Sequence, residues 1–447
     1  MTQQSSTVNW DDYISERGKM WEPSAIRGLF PLEKIPGMVS LLAGKPNAET
    51  FPFSAIKVDL KPVIPGNPVE TLTIESEALS EGLQYGATAG LPNLNKWLEN
   101  LQEVRHKRPR DGSWALSLGS GSQDLINKAF YSLVNEDDSI LLETPVYSGT
   151  IGLLKRHKVN LIEVPVDTQG LDPAKLEDIL ANWESKFPGK RFPRILYTIP
   201  TGSNPTGATA PLDRRERVLA LVRKYKLILL EDDAYHYLSF DPEHVVPSYF
   251  ELEGKDGGEV GRVIRFDSFS KILSSGMRLG FVTGPKPILE IIDLHTANTN
   301  LQPSSTTQAM VLVLLNKWGL DGFLAHTRRV AAFYKDKRDM FEKVAHKYLD
   351  GLATWVTPEA GMFLFLDLHL TIDGTPGDSS ELISTTALQK GVLAVPGVGF
   401  LPNGGRSSFV RVSFSLATEE DAELAFQRLR ACILEARGEK ASTVETC

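Results

Sequence analysis

Between residues 115 and 285, short apolar runs alternate with segments that have a helical period. The apolar runs predict six strands, at 139–143, 161–166, 195–199, 227–231, 263–266 and 280–283. They are continuous in Ile, Leu and Val rather than alternating, which is typical of a sheet covered by helices on both faces. Helical segments such as 173–183 and 212–225 lie between them. The pattern therefore predicts an α/β core of roughly 250 residues.

The pattern changes on both sides of this core. From about Arg329 onward the predicted elements are fewer and longer, and an amphipathic helix is expected at 418–435. The first 50 or so residues contain no strong periodic element. We therefore predict an N-terminal arm over 1–50, a large domain over 51–330 and a smaller domain over 331–447.

Composition and charge restrict the function further. The chain has 447 residues, of which 42% are hydrophobic and 23% are charged, as in ordinary globular proteins. It carries 48 Lys and Arg against 56 Asp and Glu, and the net charge of −8 argues against a nucleic-acid partner. The sequence contains no run of 18 apolar residues, so it predicts no membrane-spanning helix. The N-terminus resembles neither a secretory signal nor a transit peptide, so we expect a cytoplasmic protein.

The most informative segment is DSFSKILSSGMRLG at 267–280, which follows the strand-like run RVIRF. It brings Ser268, Ser270, Lys271 and Arg278 close together in the chain. A lysine amine can form a Schiff base with a phosphorylated aldehyde, while hydroxyl groups and a guanidinium hold the phosphate. Taken alone, the segment also fits a polar loop with a solvated lysine.

A second candidate is the acidic segment EDDAYHY at 231–237, directly after the apolar run LILL. Three acids at the end of a strand can bind a metal or cap a following helix. One carboxylate could instead keep a pyridine nitrogen protonated, with a tyrosine hydroxyl reaching the phenolic oxygen of the same ring. No further acid or His cluster joins these acids at ligand spacing, so we expect no metal site.

Three further segments are weak when considered singly. YTIPTGSNPTG at 197–207 predicts a turn. LGSGSQ at 118–123 opens a predicted helix that runs to about Leu133, and a helix N-terminus suits a phosphate. It lacks the third glycine of the dinucleotide-binding fingerprint. Arg411, in the alternating run FVRVSFS, would by itself predict a salt-bridged arginine on an edge strand.

Together these segments resemble the fold-type I pyridoxal-5′-phosphate aminotransferases, and most closely the branch of kynurenine/2-aminoadipate and fungal aromatic aminotransferases. The resemblance extends from about Pro23 to Thr418. Its landmarks are SLLAGKPNAETFPF, LQYGATAG, GSGSQ, ETPVYSG, YTIPTGSNPTG, EDDAYHYL, RFDSFSKILSSGMRLG, EAGMFLFLDL and VPGVGF. It implies a large domain with a mostly parallel mixed sheet flanked by helices, a smaller α+β domain, and an arm that contributes to the small domain and the active site.

The resemblance also implies a role for individual residues. Lys271 would carry the cofactor aldehyde and later move a proton between the substrate Cα and cofactor C4′. Asp232 would pair with the pyridine nitrogen, Tyr147 would stack on the ring, and Tyr235 and Asn204 would bond its phenolic oxygen. The residues implied for the phosphate are Ser122, Gln123, Ser268, Ser270, Arg278 and, from a partner subunit, Tyr85.

The same resemblance implies a homodimer with the active site at its interface, because Tyr85 would come from the second copy. Arg411 would bind the substrate α-carboxylate, with Asn204 and Gly44 beside it. The residues implied around the side-chain pocket are Arg27, Gly44, Lys45, Leu301 and Phe363. Arg27 could pair with a distal carboxylate or stack over an aromatic ring. Lys45 stands where an apolar residue is expected in the animal branch.

The function implied is a transfer of the amino group from Phe, Tyr, Trp or kynurenine to 2-oxoglutarate by a ping-pong mechanism through Lys271. A 2-aminoadipate or broad-specificity aminotransferase is the alternative, and a lyase on the same scaffold would share Lys271, Asp232 and Arg278. A DNA-binding regulator is disfavoured because the pattern begins by Pro23 in an acidic chain. A nicotinamide dehydrogenase is disfavoured because no acid follows at the required distance.

Overall fold

The computed structural model describes residues 8–42, 44–63, 66–255, 258–372 and 375–438, with the backbone only at 27, 30, 31, 34, 372, 375 and 376. The strands are β1 Ile56–Leu60, β2 Glu70–Ile74, β3 Ala115–Gly119, β4 Ser139–Thr144, β5 Asn160–Asp167, β6 Gly170–Leu171, β7 Ile195–Thr198, β8 Ile228–Asp232, β9 Val263–Ser268, β10 Gly280–Gly284, β11 Phe363–Asp367, β12 Thr371–Ile372, β13 Thr375–Pro376, β14 Val395–Pro396 and β15 Phe409–Ser413.

Helices separate most of these strands. They are α1 Glu16–Lys19, α2 Ser76–Leu83, α3 Pro92–His106, α4 Ser122–Leu133, α5 Ser148–Leu154, α6 Pro173–Ala181, α7 Trp183–Lys186, α8 Leu212–Lys224, α9 Tyr249–Lys255, α10 Lys286–Thr299, α11 Ser305–Leu349, α12 Ser379–Glu381 and α13 Glu419–Ala436. Short 3₁₀ turns occur at Trp10–Asp12, Arg27–Lys34, Ala48–Thr50, Lys155–His157, His236–Leu238, Phe269–Lys271, Ser275–Met277 and Gly397–Phe400, and a π-helical turn at Leu382–Ala387. Helix α11 is kinked at Gly319, where φ is +62°.

The six strands predicted from the apolar runs are all present, as β4, β5, β7, β8, β9 and β10, with ends within two residues of the prediction. The predicted helix at 212–225 is α8, and the segment at 173–183 is divided between α6 and α7. Thr418 caps α13 in a reciprocal arrangement with Asp421, which explains why that helix begins where the amphipathic period does. The α/β prediction is confirmed.

Contacts divide the chain into two compact units, and unit 1 comprises residues 1–136 and 249–326. In it β10 lies between β3 and β9 and is antiparallel to both, so that β3 and β9 run in the same direction. Gly280 is paired with Gly119 on one side and with Ser268 on the other. The segments that leave β3 and β9 therefore start side by side. Helices α4 and α10 pack on these strands.

Unit 2 comprises residues 137–248 and 327–447. Strands β8, β7, β4 and β5 are parallel in that order, and all of their Ile and Leu side chains except Leu161 are buried. A second sheet has the order β11, β15, β14 and packs on an apolar cluster that includes Phe341, Phe414 and Phe426. The predicted boundaries at 51–330 and 331–447 remain a prediction.

Candidate active site

In unit 1 the predicted cofactor lysine follows directly from the end of β9. Ser268 closes the strand and its hydroxyl accepts the backbone N–H of Ser270 at 3.2 Å, which starts the 3₁₀ turn that ends at Lys271. Nε2 of His326 lies 2.7 Å from the carbonyl oxygen of Ile272 and donates to it, because a carbonyl can only accept. Lys271 is half-buried, in a turn fixed on both sides.

Arg278 links this turn to the beginning of α4. Its Nη1 donates to the hydroxyl of Ser270 at 3.2 Å, and its Nη2 donates to the carbonyl of Ser120 at 3.2 Å. The guanidinium is exposed, so further donor capacity faces outward. An exposed cation and a serine hydroxyl are thus held together beside the loop that precedes α4.

Two glycines keep the space next to this arginine open. A Cβ on Gly121, which has φ +94°, would lie 2.5 Å from Nη2 of Arg278. A Cβ on Gly280 would lie 2.8 Å from the backbone nitrogen of Ser122, the first residue of the 12-residue helix α4. The first turn of a helix has unpaired N–H groups and a partial positive charge. Helix α4, Arg278 and the serines therefore fit a phosphate dianion.

Asp124 holds the loop that precedes α4, a role that the sequence did not reveal. Its Oδ2 accepts the backbone N–H of Ser120 at 3.0 Å and the ammonium of Lys128 at 2.8 Å. Lys128 is only 2% exposed. Asp124 and Lys128 thus hold the N–H of Ser120, the residue whose carbonyl binds Arg278.

In unit 2 the predicted pyridine-binding acid is Asp232, the last residue of β8. It is 6% exposed, and its Oδ2 accepts the hydroxyl of Tyr197, on the neighbouring strand β7, at 2.5 Å. Burial, followed by the charge of Asp232, raises the pKa of Tyr197 well above its ordinary value. The phenol is therefore neutral and donates. The sequence pattern assigned Tyr197 no role because it stands at the start of a turn motif.

A second buried acid, Glu143 at the end of β4, holds the loop that follows β7. Its carboxylate accepts the hydroxyl of Thr198 at 2.6 Å, the N–H of Ile199 at 2.8 Å and the hydroxyl of Ser203 at 3.1 Å. Burial raises the pKa of Glu143 to about 7. Asn204 follows Ser203 directly in the chain, and Glu143 therefore fixes the loop that carries Asn204.

Arg411 meets the end of this loop. Strand β15 lies between β11 and β14, so the alternative interpretation of Arg411 as an arginine on an edge strand does not apply. Nη1 of Arg411 donates to Oδ1 of Asn204 at 2.8 Å, and the guanidinium carbon lies 4.3 Å from the ring centroid of Phe363 and 5.0 Å from that of Phe400. In the described part of the chain, no carboxylate lies within salt-bridge distance of Arg411. Such a guanidinium suits a carboxylate ligand.

Two tyrosines complete this region of unit 2. Tyr235 is 5% exposed, and its ring centroid lies 6.4 Å from that of Phe363. Burial, and next the charge of Asp232, raise the pKa of Tyr235, so its hydroxyl is a neutral donor. Tyr147 precedes α5, and a Cβ on Gly149 would come 2.4 Å from its ring. Glycine at 149 therefore allows the ring to take this position.

The remaining predicted residues are less buried. Gln123 lies in the first turn of α4, Tyr85 is 51% exposed, and Leu301 is 41% exposed with φ +65°. Gly44 is exposed, and the side chain of Arg27 lies outside the described residues. Lys45 forms an ion pair with Glu33 at 3.3 Å, and Ser40 donates to the same carboxylate at 2.6 Å. Its charge is thus compensated locally.

The polar side chains described above fit the chemical groups of pyridoxal phosphate when each group is considered by itself. Unit 1 offers cationic and N–H donors for a dianion, together with a lysine amine. Unit 2 offers a buried carboxylate for a ring N–H⁺, neutral phenol donors for a phenolate oxygen, and a guanidinium for a substrate carboxylate. Among the described residues no group of three or more His, Cys, Asp or Glu side chains could hold a metal. None of the described helices could cross a membrane.

Residues 68–429 match the pattern of the family Aminotransferase class I and II, which is most of the chain. The chain belongs to this family, and the protein is an aminotransferase. It is 44% identical over 417 residues to Aminotransferase tdiD of Emericella nidulans, covering 93% of this chain and 94% of that protein. It is 38% identical over 440 residues to the mitochondrial kynurenine/alpha-aminoadipate aminotransferase of Bos taurus, covering 96% of this chain and 100% of that protein.

A solved structure agrees. The crystal structure of the aromatic aminotransferase Aro9 from Candida albicans superposes with a TM-score of 0.85 at 27% identity, covering 96% of this chain and 99% of that one. The prediction of a fold-type I aminotransferase is confirmed.

Proposed function

We propose that the protein transfers the amino group of an aromatic amino acid (Phe, Tyr, Trp or kynurenine) to 2-oxoglutarate, with pyridoxal 5′-phosphate as its cofactor. The observation that carries the substrate class is the arrangement at Arg411. Its guanidinium has Asn204 on one nitrogen and the rings of Phe363 and Phe400 within 5.0 Å. A carboxylate bound there meets aromatic surface, which favours a substrate with an aryl side chain.

The cofactor, when bound, supplies the aldehyde that carries the amino group and the electron-withdrawing ring that makes the substrate Cα proton acidic. We assign the phosphate to the residues around the start of α4 and the β9 turn, namely Ser122, Gln123, Ser268, Ser270 and Arg278. Asp232 holds the proton on the ring nitrogen because a buried carboxylate stabilises an adjacent cation. Tyr235 and Asn204 donate to the phenolic oxygen, and Tyr147 packs on the ring.

Lys271 is the proposed acid–base residue. Its amine takes the proton from the substrate Cα and returns it at C4′, and the short turn from Ser268 to Lys271 limits the positions that the amine can reach. General acid–base transfer of this kind contributes about 10²–10⁴-fold to a rate. Both half-reactions use the same amine, the same Arg411 and the same Asn204, so the two substrates occupy one site in turn, as a ping-pong mechanism requires.

We further propose that two copies assemble, with Tyr85 of each reaching the phosphate bound by the other. Tyr85 is 51% exposed in the single chain, as a residue that acts on a second subunit must be. The arm over 1–50, the domains at 51–330 and 331–447, and a cytoplasmic location belong to the same proposal.

The experiment that tests the substrate class is a comparison of kcat/KM for Phe, Tyr, Trp, kynurenine, 2-aminoadipate and glutamate with 2-oxoglutarate as acceptor. The proposal expects an aromatic donor to exceed 2-aminoadipate by about tenfold or more, since filling an apolar pocket is worth 1–3 kcal/mol. A tenfold preference for 2-aminoadipate would instead support the alternative suggested by the relative from Bos taurus. Repeated turnover of the amino acid, beyond one equivalent per active site, without any 2-oxo acid acceptor would support a lyase.

A further inference from the structure

Tyr197 and Asp232 form a short hydrogen bond that no step of the proposed reaction accounts for. The hydroxyl of Tyr197 lies 2.5 Å from Oδ2 of Asp232, and the two residues are 0% and 6% exposed. They stand on adjacent parallel strands, where the register pairs Thr198 of β7 with Glu231 of β8. The contact is thus built into the sheet, away from water.

The proton in this contact belongs to the phenol. Burial and the charge of Asp232 both raise the pKa of Tyr197, so the tyrosine stays neutral and donates to an ionised carboxylate. The other ionisable groups that interact with Asp232 within unit 2 include Glu143 on β4 and Tyr235 after β8. Glu143 is a second carboxyl in the same apolar region, and like charges oppose the ionisation of both. A donor on Asp232 counters this effect.

We propose that Tyr197 is a positioning residue for Asp232: its hydroxyl keeps the carboxylate ionised and in one orientation, ready to hold the proton on the cofactor's ring nitrogen. The inference rests on the proposed role of Asp232. A hydrogen bond to a charged group changes an equilibrium by roughly tenfold to a hundredfold. Without it, the buried carboxylate is freer to rotate or to take up a proton itself, and it then no longer supports a charged ring.

The next residue on β7 provides a matched control. Side chains alternate along a strand, and Thr198 donates to Glu143 at 2.6 Å while Tyr197 donates to Asp232. Thr198→Val and Tyr197→Phe each remove one buried hydroxyl from the same strand. Only Tyr197→Phe removes the hydroxyl that donates to Asp232. A general loosening of β7 would therefore affect both variants, whereas a specific effect on Asp232 would affect Tyr197→Phe alone.

The experiment is a double-mutant cycle on Tyr197→Phe and Asp232→Asn, read as the dissociation constant of pyridoxal phosphate from the apoprotein and as kcat. We expect Tyr197→Phe to raise the dissociation constant and lower kcat, each by roughly tenfold or more, when Asp232 is present. In the Asp232→Asn background, the same change should alter the dissociation constant by less than about twofold, because no carboxylate remains to be held. Thr198→Val acts through Glu143 and the loop of Asn204, so any change that it causes in cofactor affinity should be the same in the Asp232 and Asp232→Asn backgrounds.

Each outcome decides the inference. Equal effects of Tyr197→Phe in both backgrounds, or the same dependence on Asp232 for Thr198→Val, mean a purely structural role and overturn the inference. If Tyr197→Phe does not fold, 3-fluorotyrosine at position 197 keeps the ring and makes the hydroxyl a stronger donor; cofactor affinity that is unchanged or weaker then overturns the inference. A wild-type protein that binds no pyridoxal phosphate contradicts the proposed function and the inference together. Normal binding and turnover without coupling contradict the inference alone.

Discussion

Nη1 of Arg411 donates to Oδ1 of Asn204 across 2.8 Å, which joins the central strand of the small sheet of unit 2 to the loop that follows β7. The same loop is held by Glu143 through Thr198, Ile199 and Ser203. The orientation of Arg411 is therefore set by packing on Phe363 and by a loop that Glu143 holds in place.

Replacing Arg411 with Lys should raise the KM of both the amino donor and the 2-oxo acid by about tenfold or more. Lysine keeps the positive charge but loses the planar fork that binds Asn204 and a carboxylate at once. Because both substrates carry the carboxylate that Arg411 binds, the two KM values should rise together. Steady-state kinetics with each substrate varied in turn measure this, with the exposed Arg406→Lys in the same unit as the control. A rise in only one KM would contradict the shared role.

Gly121→Ala should weaken binding of pyridoxal phosphate by about tenfold or more. The new methyl would lie 2.5 Å from Nη2 of Arg278 and would displace the guanidinium from the start of α4. Gly112→Ala is the matched control, since Gly112 has a similar φ of +85° with nothing within 4 Å of its Cβ position. Both variants place a side chain at a positive φ, so the stability of each is measured alongside, and only Gly121→Ala should lose cofactor affinity. Equal affinities of the two variants would remove Arg278 from the phosphate site.

Asp293→Asn should make the unfolding free energy less dependent on pH. Asp293 on α10 is buried, accepts from Ser117 at 3.0 Å, and has its pKa raised to about 7 by burial, with Lys128 partly opposing this effect. The folded protein therefore binds the proton more tightly than the unfolded chain, and stability falls as the pH rises from about 4 to about 7. The fall has an upper bound of about 4 kcal/mol.

Urea unfolding at several pH values measures this effect. The Asn variant should match the wild type near pH 4 and exceed it in stability above pH 7. Glu77→Gln serves as the control, because Glu77 is an exposed carboxylate on α2 of the same unit. Parallel pH profiles of the wild type and Asp293→Asn would show that Asp293 does not titrate in this range.

Local sequence patterns were sufficient for the elements that carry the site. Buried parallel strands need continuous apolar runs, so β4, β7 and β8 could be read from SILLE, ILYTI and LILLE. The end of the run at β8 then indicated where Asp232 would lie, and the end of the run at β9 indicated where Lys271 would lie. Strand β3 was not predicted as a strand, since Ser117 and Gly119 interrupt its apolar pattern.

Roles that depend on pairing between distant segments could not be read in this way. Glu143 precedes its partner Thr198 by 55 residues, and the 2.5 Å contact of Tyr197 spans 35 residues. The central place of the strand of Arg411 also depends on β11 and β14, which come from separate parts of the chain. Likewise, only the folded chain shows that Glu33 neutralises Lys45.

The central claim is that Lys271 and a bound pyridoxal phosphate carry out amino transfer, and the visible absorption of the reconstituted protein tests it most directly. We expect the bound cofactor to give the protein a visible absorption band. This band should bleach on titration with L-phenylalanine or L-kynurenine and with L-glutamate, and 2-oxoglutarate should restore it. In Lys271→Ala the cofactor should still bind, while bleaching slows by about 10²–10⁴-fold. A band that persists with every amino donor, or no band after addition of the cofactor, would contradict the account.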